Sequence, residues 1–242
     1  MAETPHLSLV LACYNEAGHL EASFAEIRDT LEQARFPFEI VFVDDHSQDR
    51  TREILTGLVA GHPQLALRTL FHERNRGRGA TVSDGFRAAR GTITGYIDVD
   101  LEVHSRYIPS LVRAIDNGAD VATLRRIYAF QLRSLDRYLM SRGYSFLVRR
   151  LLDVSLADTE TGYKFFRRET LLPLLDEVED EGWFWDTEFM VRAARRGLTL
   201  VEVPGAYIRR PDKASTVRGV RDSLRYFTKL LRFRSTLREI RP

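Results

Sequence analysis

The sequence has little cysteine and no long apolar run. Cys13 is the only cysteine among 242 residues, so no disulfide framework is possible and a reducing compartment fits. No stretch of about 18 apolar residues occurs, so we expect no helix that spans a bilayer. Residues 1–6 have neither a basic nor an apolar region, so we expect no signal peptide. These absences favour a cytoplasmic location.

Two common nucleotide-binding signatures are also missing. The first predicted strand is not followed by G-x-G-x-x-G, which disfavours a nicotinamide or flavin dinucleotide. No G-x-x-x-x-G-K-[ST] occurs, which disfavours a P-loop NTPase. The net charge of +2 gives no support for a nucleic-acid partner. A hydrophobic content of 44% with 29% charged residues is typical of a globular protein with a sizeable core.

Short apolar runs alternate with segments of helical spacing along the first hundred residues. This alternation predicts a parallel α/β sheet with right-handed crossovers. The predicted strands are Leu7–Ala12, Phe38–Val43, Leu65–Phe71, Thr94–Asp98, Asp120–Leu124 and Leu200–Val203, the last ended by Pro204. Helices are predicted between them, including 80–90 and 129–152.

Polar side chains follow each of the first four strands. Because ligands bind at the carboxyl ends of strands in open α/β sheets, we expect these groups to share one crevice. They are Tyr14 and Glu16, Asp44 and Asp45, residues 74–79, and Asp98, Asp100 and Glu102. Taken singly, each has an ordinary alternative, since aspartates cap helices and glycines form turns.

The segment from Asp98 to Glu102 carries the strongest chemical signal. Asp98, Asp100 and Glu102 alternate, and on an extended chain alternating side chains share one side. Three carboxylates there suit a hard cation such as Mg²⁺ or Mn²⁺, bound together with substrate phosphates. The alternative for an isolated D-x-D is an exposed acidic turn.

Seven segments along the chain together match one enzyme family. They are Tyr14–Glu16, Val43–Thr51, Asn75–Ala80, Gly85 with Ala88–Gly91, Asp98–His104, Asp158–Glu169 and Glu202–Pro204. With these segments the chain resembles an inverting glycosyltransferase of family 2, in the dolichol-phosphate mannose synthase or polyprenyl-phosphate glycosyltransferase branch. The resemblance implies a GT-A fold, with a Rossmann-like, mostly parallel sheet flanked by helices. The chain departs from the family at His46, where glycine is usual, and at Glu102, where glutamine is common.

The resemblance implies a role for each matching residue. Tyr14, Glu16, Asp44 and Asp45 correspond to the pocket for the base and ribose, and Asp98, Asp100 and Glu102 to the Mg²⁺ or Mn²⁺ and diphosphate site. Arg78 and Arg210 (or Arg209) are expected to approach the donor phosphates. Arg125, Arg137 and Ser141 are expected to bind an acceptor phosphate. A solvated basic face is the alternative for these arginines.

The expected activity is metal-dependent transfer of a hexose, with inversion, from a nucleoside-diphosphate sugar to polyprenyl or dolichyl phosphate. Mannose from GDP-mannose is the expected donor, and Asp98, Asp100 and Arg137 are the expected catalytic groups. One alternative is a soluble hydroxyl acceptor with Asp186 as general base, although Asp186 can also cap its helix. A second is a non-catalytic subunit that binds a nucleotide sugar. The aromatic residues 183–185 are read as core rather than as a sugar platform.

The last 27 residues predict an amphipathic helix after a catalytic domain of residues 1–215. Residues 217–242 contain eight arginines and lysines against Asp222 and Glu239. Val220, Leu224, Phe227 and Leu231, joined by Leu230, keep helical spacing. Such a helix can lie in an anionic membrane surface, which would make the enzyme peripheral at the inner face, with or without a membrane partner subunit. The alternative is a helix packed on the domain.

Overall fold

The computed structural model describes residues 4–128, 135–208 and 219–239. Its centre is a seven-stranded sheet in the order β3-β2-β1-β4-β6-β5-β7. The strands are β1 (Leu7–Cys13), β2 (Phe38–Asp44), β3 (Leu67–Phe71), β4 (Ile93–Ile97), β5 (Val121–Tyr128), β6 (Tyr163–Arg167) and β7 (Leu200–Tyr207). The helices are α1 (Leu20–Ala34), α2 (Thr51–Gly61), α3 (Arg78–Ala88), α4 (Ile108–Asp116), α5 (Leu135–Leu152), α6 (Arg168–Leu175), α7 (Trp185–Arg195) and α8 (Gly219–Glu239).

Helices cover both faces of the sheet, because the central strands are apolar on both sides. Leu9 of β1 packs with Phe24 of α1 and Leu111 of α4 in one cluster. Val10, its neighbour in β1, packs with Phe86 of α3 and Phe189 of α7 in a second cluster. The mostly parallel, helix-flanked sheet predicted from the sequence is therefore confirmed.

Strand β6 was not predicted and makes the sheet mixed. It pairs antiparallel with β4 on one side and with β5 on the other, whereas the remaining pairs are parallel. Its first four residues, Tyr163 to Phe166, are all buried, so no alternation of apolar and polar residues marked it as a strand. Its position beside β4 brings residues 158–162 next to the acidic segment.

The predicted ends of β5 and β7 were wrong. Pro204 does not end β7, which continues to Tyr207 in parallel register with β5. β7 is the last strand of the sheet, where a proline with its missing N–H toward solvent is tolerated. The longer pairing places Arg125 and Arg126 inside β5 instead of after it.

Helix α8 packs against α5 and α7. Leu230, Phe233 and Leu237 are buried with Val148 and Leu152 in a third apolar cluster. Leu230, which the sequence joined to the lipid-facing residues, is instead buried, whereas Phe227 and Leu231 are 38% and 42% exposed. The side chains of Val220 and Leu224 lie outside the described residues.

Candidate active site

The loops after the first two strands are tied together by hydrogen bonds. The backbone N–H of Asn15 donates to Ser47 Oγ (2.9 Å), and Gln48 N–H donates to Asn15 Oδ1 (2.8 Å). His46 takes φ = 61°, a left-handed conformation that glycine adopts most easily. The turn expected from the family pattern thus forms with histidine in the glycine position.

Asp45 anchors the loop that leads into α3. Its carboxylate accepts hydrogen bonds from the backbone N–H of Arg76 (2.7 Å) and of Gly77 (2.9 Å). His72 Nδ1 lies 2.8 Å from the same group. Asp44, fully buried at the end of β2, accepts from Ser47 N–H (3.3 Å). The two aspartates therefore hold the loops that follow β2 and β3.

Arg78, the first residue of α3, connects this loop to the acidic segment. Its guanidinium Nη2 lies 2.5 Å from Asp98 Oδ1, and Nη1 lies 3.6 Å from Asp186 Oδ2. The guanidinium carbon also lies 5.2 Å from the ring centre of Trp183. Trp183 is half exposed, so the core interpretation of residues 183–185 holds for Phe184 and Trp185 but not for Trp183.

The acidic segment is a turn and not an extended chain. β4 ends at Ile97, and Leu101 takes φ = 52°, so alternation along a strand does not explain where the carboxylates lie. All three nevertheless line one pocket of roughly 50 Å³, together with Arg126, Gly162 and Tyr207. Tyr207 donates its hydroxyl hydrogen bond to Glu102.

The carboxylate oxygens of this pocket fit a hard divalent cation in kind. They do not form a ready ligand set: in the part of the chain that the structure describes, no three Asp, Glu, His or Cys side chains are placed to hold one metal ion. Asp98 faces Arg78 and Glu102 faces Tyr207.

Arg126, rather than Arg125, faces the pocket. Successive residues of a strand point to opposite sides, and Arg125 is exposed while Arg126 lines the pocket. Asp158 holds Arg126 through Nε (2.7 Å) and Nη2 (2.9 Å). Burial would raise the pKa of Asp158, but the charge and hydrogen bonds of Arg126 lower it below the ordinary value.

A buried ion pair lies behind Arg78. Lys164, with no exposed surface, donates to Asp186 Oδ1 at 2.6 Å, and Tyr96 donates its hydroxyl to the same oxygen. Burial lowers the pKa of Lys164, and the Asp186 carboxylate opposes that shift. Phe184 takes the N-cap position of α7 without a side-chain cap, so Asp186 does not cap its own helix.

The remaining predicted site residues either lie in the loop after β1 or fall outside the described residues. Tyr14 is 45% exposed, and Glu16 Oε2 lies 2.6 Å from His19 Nε2. Arg137 and Ser141 belong to α5, four residues apart, but their side chains lie outside the described residues. Arg210 lies outside them altogether, as does Arg209.

The chain shares a family profile with known enzymes. The profile of "Glycosyl transferase family 2" matches residues 8–173. The chain belongs to glycosyl transferase family 2. It is 36% identical over 232 residues to glycosyltransferase AglD of Haloferax volcanii, covering 93% of this chain and 36% of that protein. It is 30% identical over 214 residues to a dolichyl-phosphate beta-glucosyltransferase of Drosophila melanogaster, covering 81% and 65%. The chain thus spans less than two thirds of either relative.

Solved structures of glycosyltransferases share the fold. A mannosyltransferase from Pyrobaculum calidifontis, in complex with GDP-Man and Mn²⁺, has a TM-score of 0.62 at 19% identity, covering 96% of this chain and 65% of its own. Glucosyl-3-phosphoglycerate synthase from Mycobacterium tuberculosis, with Mn²⁺, UDP and glucosyl-3-phosphoglycerate, has a TM-score of 0.67 at 19% identity, covering 95% and 78%. The expected GT-A fold and glycosyltransferase family are therefore confirmed.

Proposed function

We propose that this enzyme transfers a hexose from a nucleoside-diphosphate sugar to a polyprenyl or dolichyl phosphate. The observation that carries the proposal is the arrangement of charge around the acidic pocket. Asp98, Asp100 and Glu102 line it, Arg126 stands in its wall, and Arg78 reaches Asp98 from α3. Carboxylates can hold a cation on a diphosphate, and arginines pair with phosphate oxygens.

Asp98, Asp100 and Glu102 would hold Mn²⁺ or Mg²⁺ only after the side chains that now face Arg78 and Tyr207 turn toward the cation. When bound, the cation supplies Lewis-acid stabilisation of the negative charge that develops on the departing nucleoside diphosphate. The two solved structures named above both contain Mn²⁺, which supports a divalent ion here. Arg78 lies next to Asp98 and is placed to add positive charge to the same leaving group.

A phosphate acceptor suits the surroundings of Asp186. A hydroxyl acceptor needs a general base, whereas a phosphate oxygen is already a nucleophile near neutral pH. The Asp186 carboxylate is buried and faces Lys164, Tyr96 and Arg78, an arrangement that disfavours a base. Arg126, held by Asp158, is better placed than Arg125 to bind the acceptor phosphate. Attack opposite the leaving group would invert the anomeric carbon.

The hexose and the base of the donor remain predictions. The resemblance favours mannose from GDP-mannose, whereas the curated relative from Drosophila is named for glucose transfer to dolichyl phosphate. Either sugar is compatible with carboxylates that bind the cation and arginines that bind phosphate. A screen of GDP- and UDP-sugars by thermal shift with Mn²⁺ distinguishes them, because the bound donor stabilises the folded enzyme by mass action.

Helix α8 is the proposed contact with an anionic membrane. No described helix is long and apolar enough to cross a bilayer. Phe227 and Leu231 are exposed on α8 beside the exposed Lys229 and Arg232, a composition that suits the lipid interface. Phe227→Ser with Leu231→Ser should reduce flotation with anionic vesicles at low salt, while Val201→Ser on β7 should not. Equal flotation of all three proteins would remove α8 from membrane binding.

The transferase proposal is tested by comparing two acceptors in separate reactions. Wild-type enzyme, Mn²⁺ and each labelled donor are incubated with a short polyprenyl phosphate or with the matching polyprenol. We expect a hexosyl-phosphoryl lipid with the phosphate and no product with the alcohol, read by mass spectrometry. Transfer to the alcohol alone would favour a hydroxyl acceptor with a general base. Donor binding without transfer to any acceptor would indicate a non-catalytic subunit.

A further inference from the structure

Glu160 is a second carboxylate, beside Asp158, that lies close to Arg126 at the acidic pocket. Its Oε2 lies 3.9 Å from Arg126 Nη2, while Asp158 holds the Nε and Nη2 of the same guanidinium. The charge of Arg126 is therefore opposed by two carboxylates. Glu160 keeps 28% of its side chain exposed, so solvent and ligands can reach it.

Charged and titratable groups on several of the described elements act electrostatically on Glu160. They are Arg126 of β5, Asp158 of its own loop, Lys164 of β6, Asp186 of α7, Tyr144 of α5 and Tyr226 of α8. Although part of the side chain is exposed, desolvation of its carboxyl raises the pKa of Glu160 to about 7. Asp158 and Asp186 add to the shift, and Arg126 and Lys164 oppose it. The two carboxyls beside Arg126 thus differ, since Arg126 lowers the pKa of Asp158.

We propose that Glu160 determines how strongly Arg126 attracts the acceptor phosphate. This inference rests on the proposed function. An ionised Glu160 cancels part of the positive charge that a phosphate requires, and a neutral Glu160 leaves Arg126 opposed by Asp158 alone. A neutral Glu160 also carries an O–H group, which can donate a hydrogen bond to a phosphate oxygen. Acceptor binding should therefore weaken as Glu160 loses its proton.

The test compares wild type with Glu160→Gln, Glu160→Asp and the exposed control Glu53→Gln. KM for a soluble prenyl phosphate and KM for the donor are measured between pH 6 and 8.5, with the melting temperature at each pH. We expect the ratio of wild-type to Glu160→Gln acceptor KM to rise about fivefold with pH, the size of a partly exposed ion pair. The phosphate's own ionisation cancels in this ratio. Glu160→Asp and Glu53→Gln should follow wild type, and the donor ratios should stay flat.

A flat acceptor ratio across the pH range would overturn the inference, as would an equal change in the donor KM. If Glu160→Gln fails to fold, Glu160→Ala takes its place in the same ratio, and a flat ratio would again overturn the inference. Absence of product from wild type with prenyl phosphate at every pH would contradict the proposed acceptor itself. The two failures are therefore distinguishable.

Discussion

Gly162→Ala should inactivate the enzyme without unfolding it. Gly162 O accepts the backbone hydrogen bond of Asp98 (2.9 Å), so this loop passes directly beside the acidic turn. A methyl group at Gly162 would overlap the Asp98 carboxylate and the Arg78 guanidinium. The Asp98 carboxylate and the Arg78 guanidinium lie at the ends of flexible side chains, so both groups can move away from the methyl group. Their ion pair would then be displaced from its present position.

The magnitude follows from what the methyl group displaces. The Asp98 side chain is half exposed and Arg78 is largely buried, so we expect this pair to contribute about 1 kcal/mol to stability, the upper end for exposed pairs. Replacing glycine by alanine restricts the unfolded chain and returns about 0.4–1 kcal/mol. We therefore expect a change in melting temperature within about 4 °C. Displacing a charge at the reacting diphosphate should lower kcat by about 100-fold.

The assay measures kcat, donor KM and melting temperature for Gly162→Ala beside Gly57→Ala. Gly57 lies in α2 with nothing within 4 Å of an added Cβ, so this control should keep full activity and gain about 0.5–1 kcal/mol. The reasoning is refuted if Gly162→Ala keeps more than half of the wild-type kcat. A large loss of melting temperature would equally refute it, because the neighbours would then be rigid.

Three further predictions follow from the same contacts. Asp100→Ala should lower turnover by about 100-fold with little loss of melting temperature, and EDTA should do the same to wild type; full activity of the variant in EDTA would contradict the metal assignment. Asp186→Asn should cost about 3–5 kcal/mol in chemical denaturation, because Lys164 is left buried without its partner. Adding Lys164→Met should recover part of that loss, and simple additivity would argue against a coupled pair. Glu160→Gln should match wild type in stability at pH 4 and exceed it by about 1–2 kcal/mol at pH 8. The folded pKa of Glu160, about 7, lies above its ordinary value of 4.5, so wild type loses stability as pH rises through that window; parallel curves would contradict the shift.

The sequence predicted the central sheet and the family because their signals are local. Buried parallel strands such as β1 and β2 are short apolar runs, and chemically useful residues follow them directly. A crevice shared by the strand ends stays a prediction, based on the rule that parallel strands bring their carboxyl ends to one edge. Asp45 does hold the loop that leads into α3, where Arg78 lies.

The missed features depend on contacts between distant segments. β6 has no alternation, since Tyr163, Lys164, Phe165 and Phe166 are all buried. A lysine is usually predicted to be exposed, because lysines are almost never fully buried unless they are paired. The burial of Lys164 is explained by its ion pair with Asp186. Arg126 could not be chosen over Arg125 from the sequence, because the sequence does not show which side of β5 faces the pocket. The turn at Leu101 broke the predicted alternation of the acidic residues, although their shared pocket was anticipated.

The most direct test of the account is a crystal structure of the enzyme with Mn²⁺ and a nucleoside diphosphate. The central claim is that the pocket lined by Asp98, Asp100, Glu102 and Arg126 is the site of transfer. We predict the Mn²⁺ on oxygens of these carboxylates and the diphosphate within hydrogen-bond distance of Arg78. A nucleoside diphosphate bound elsewhere, or held with no contact between the cation and any of the three carboxylates, would contradict the claim.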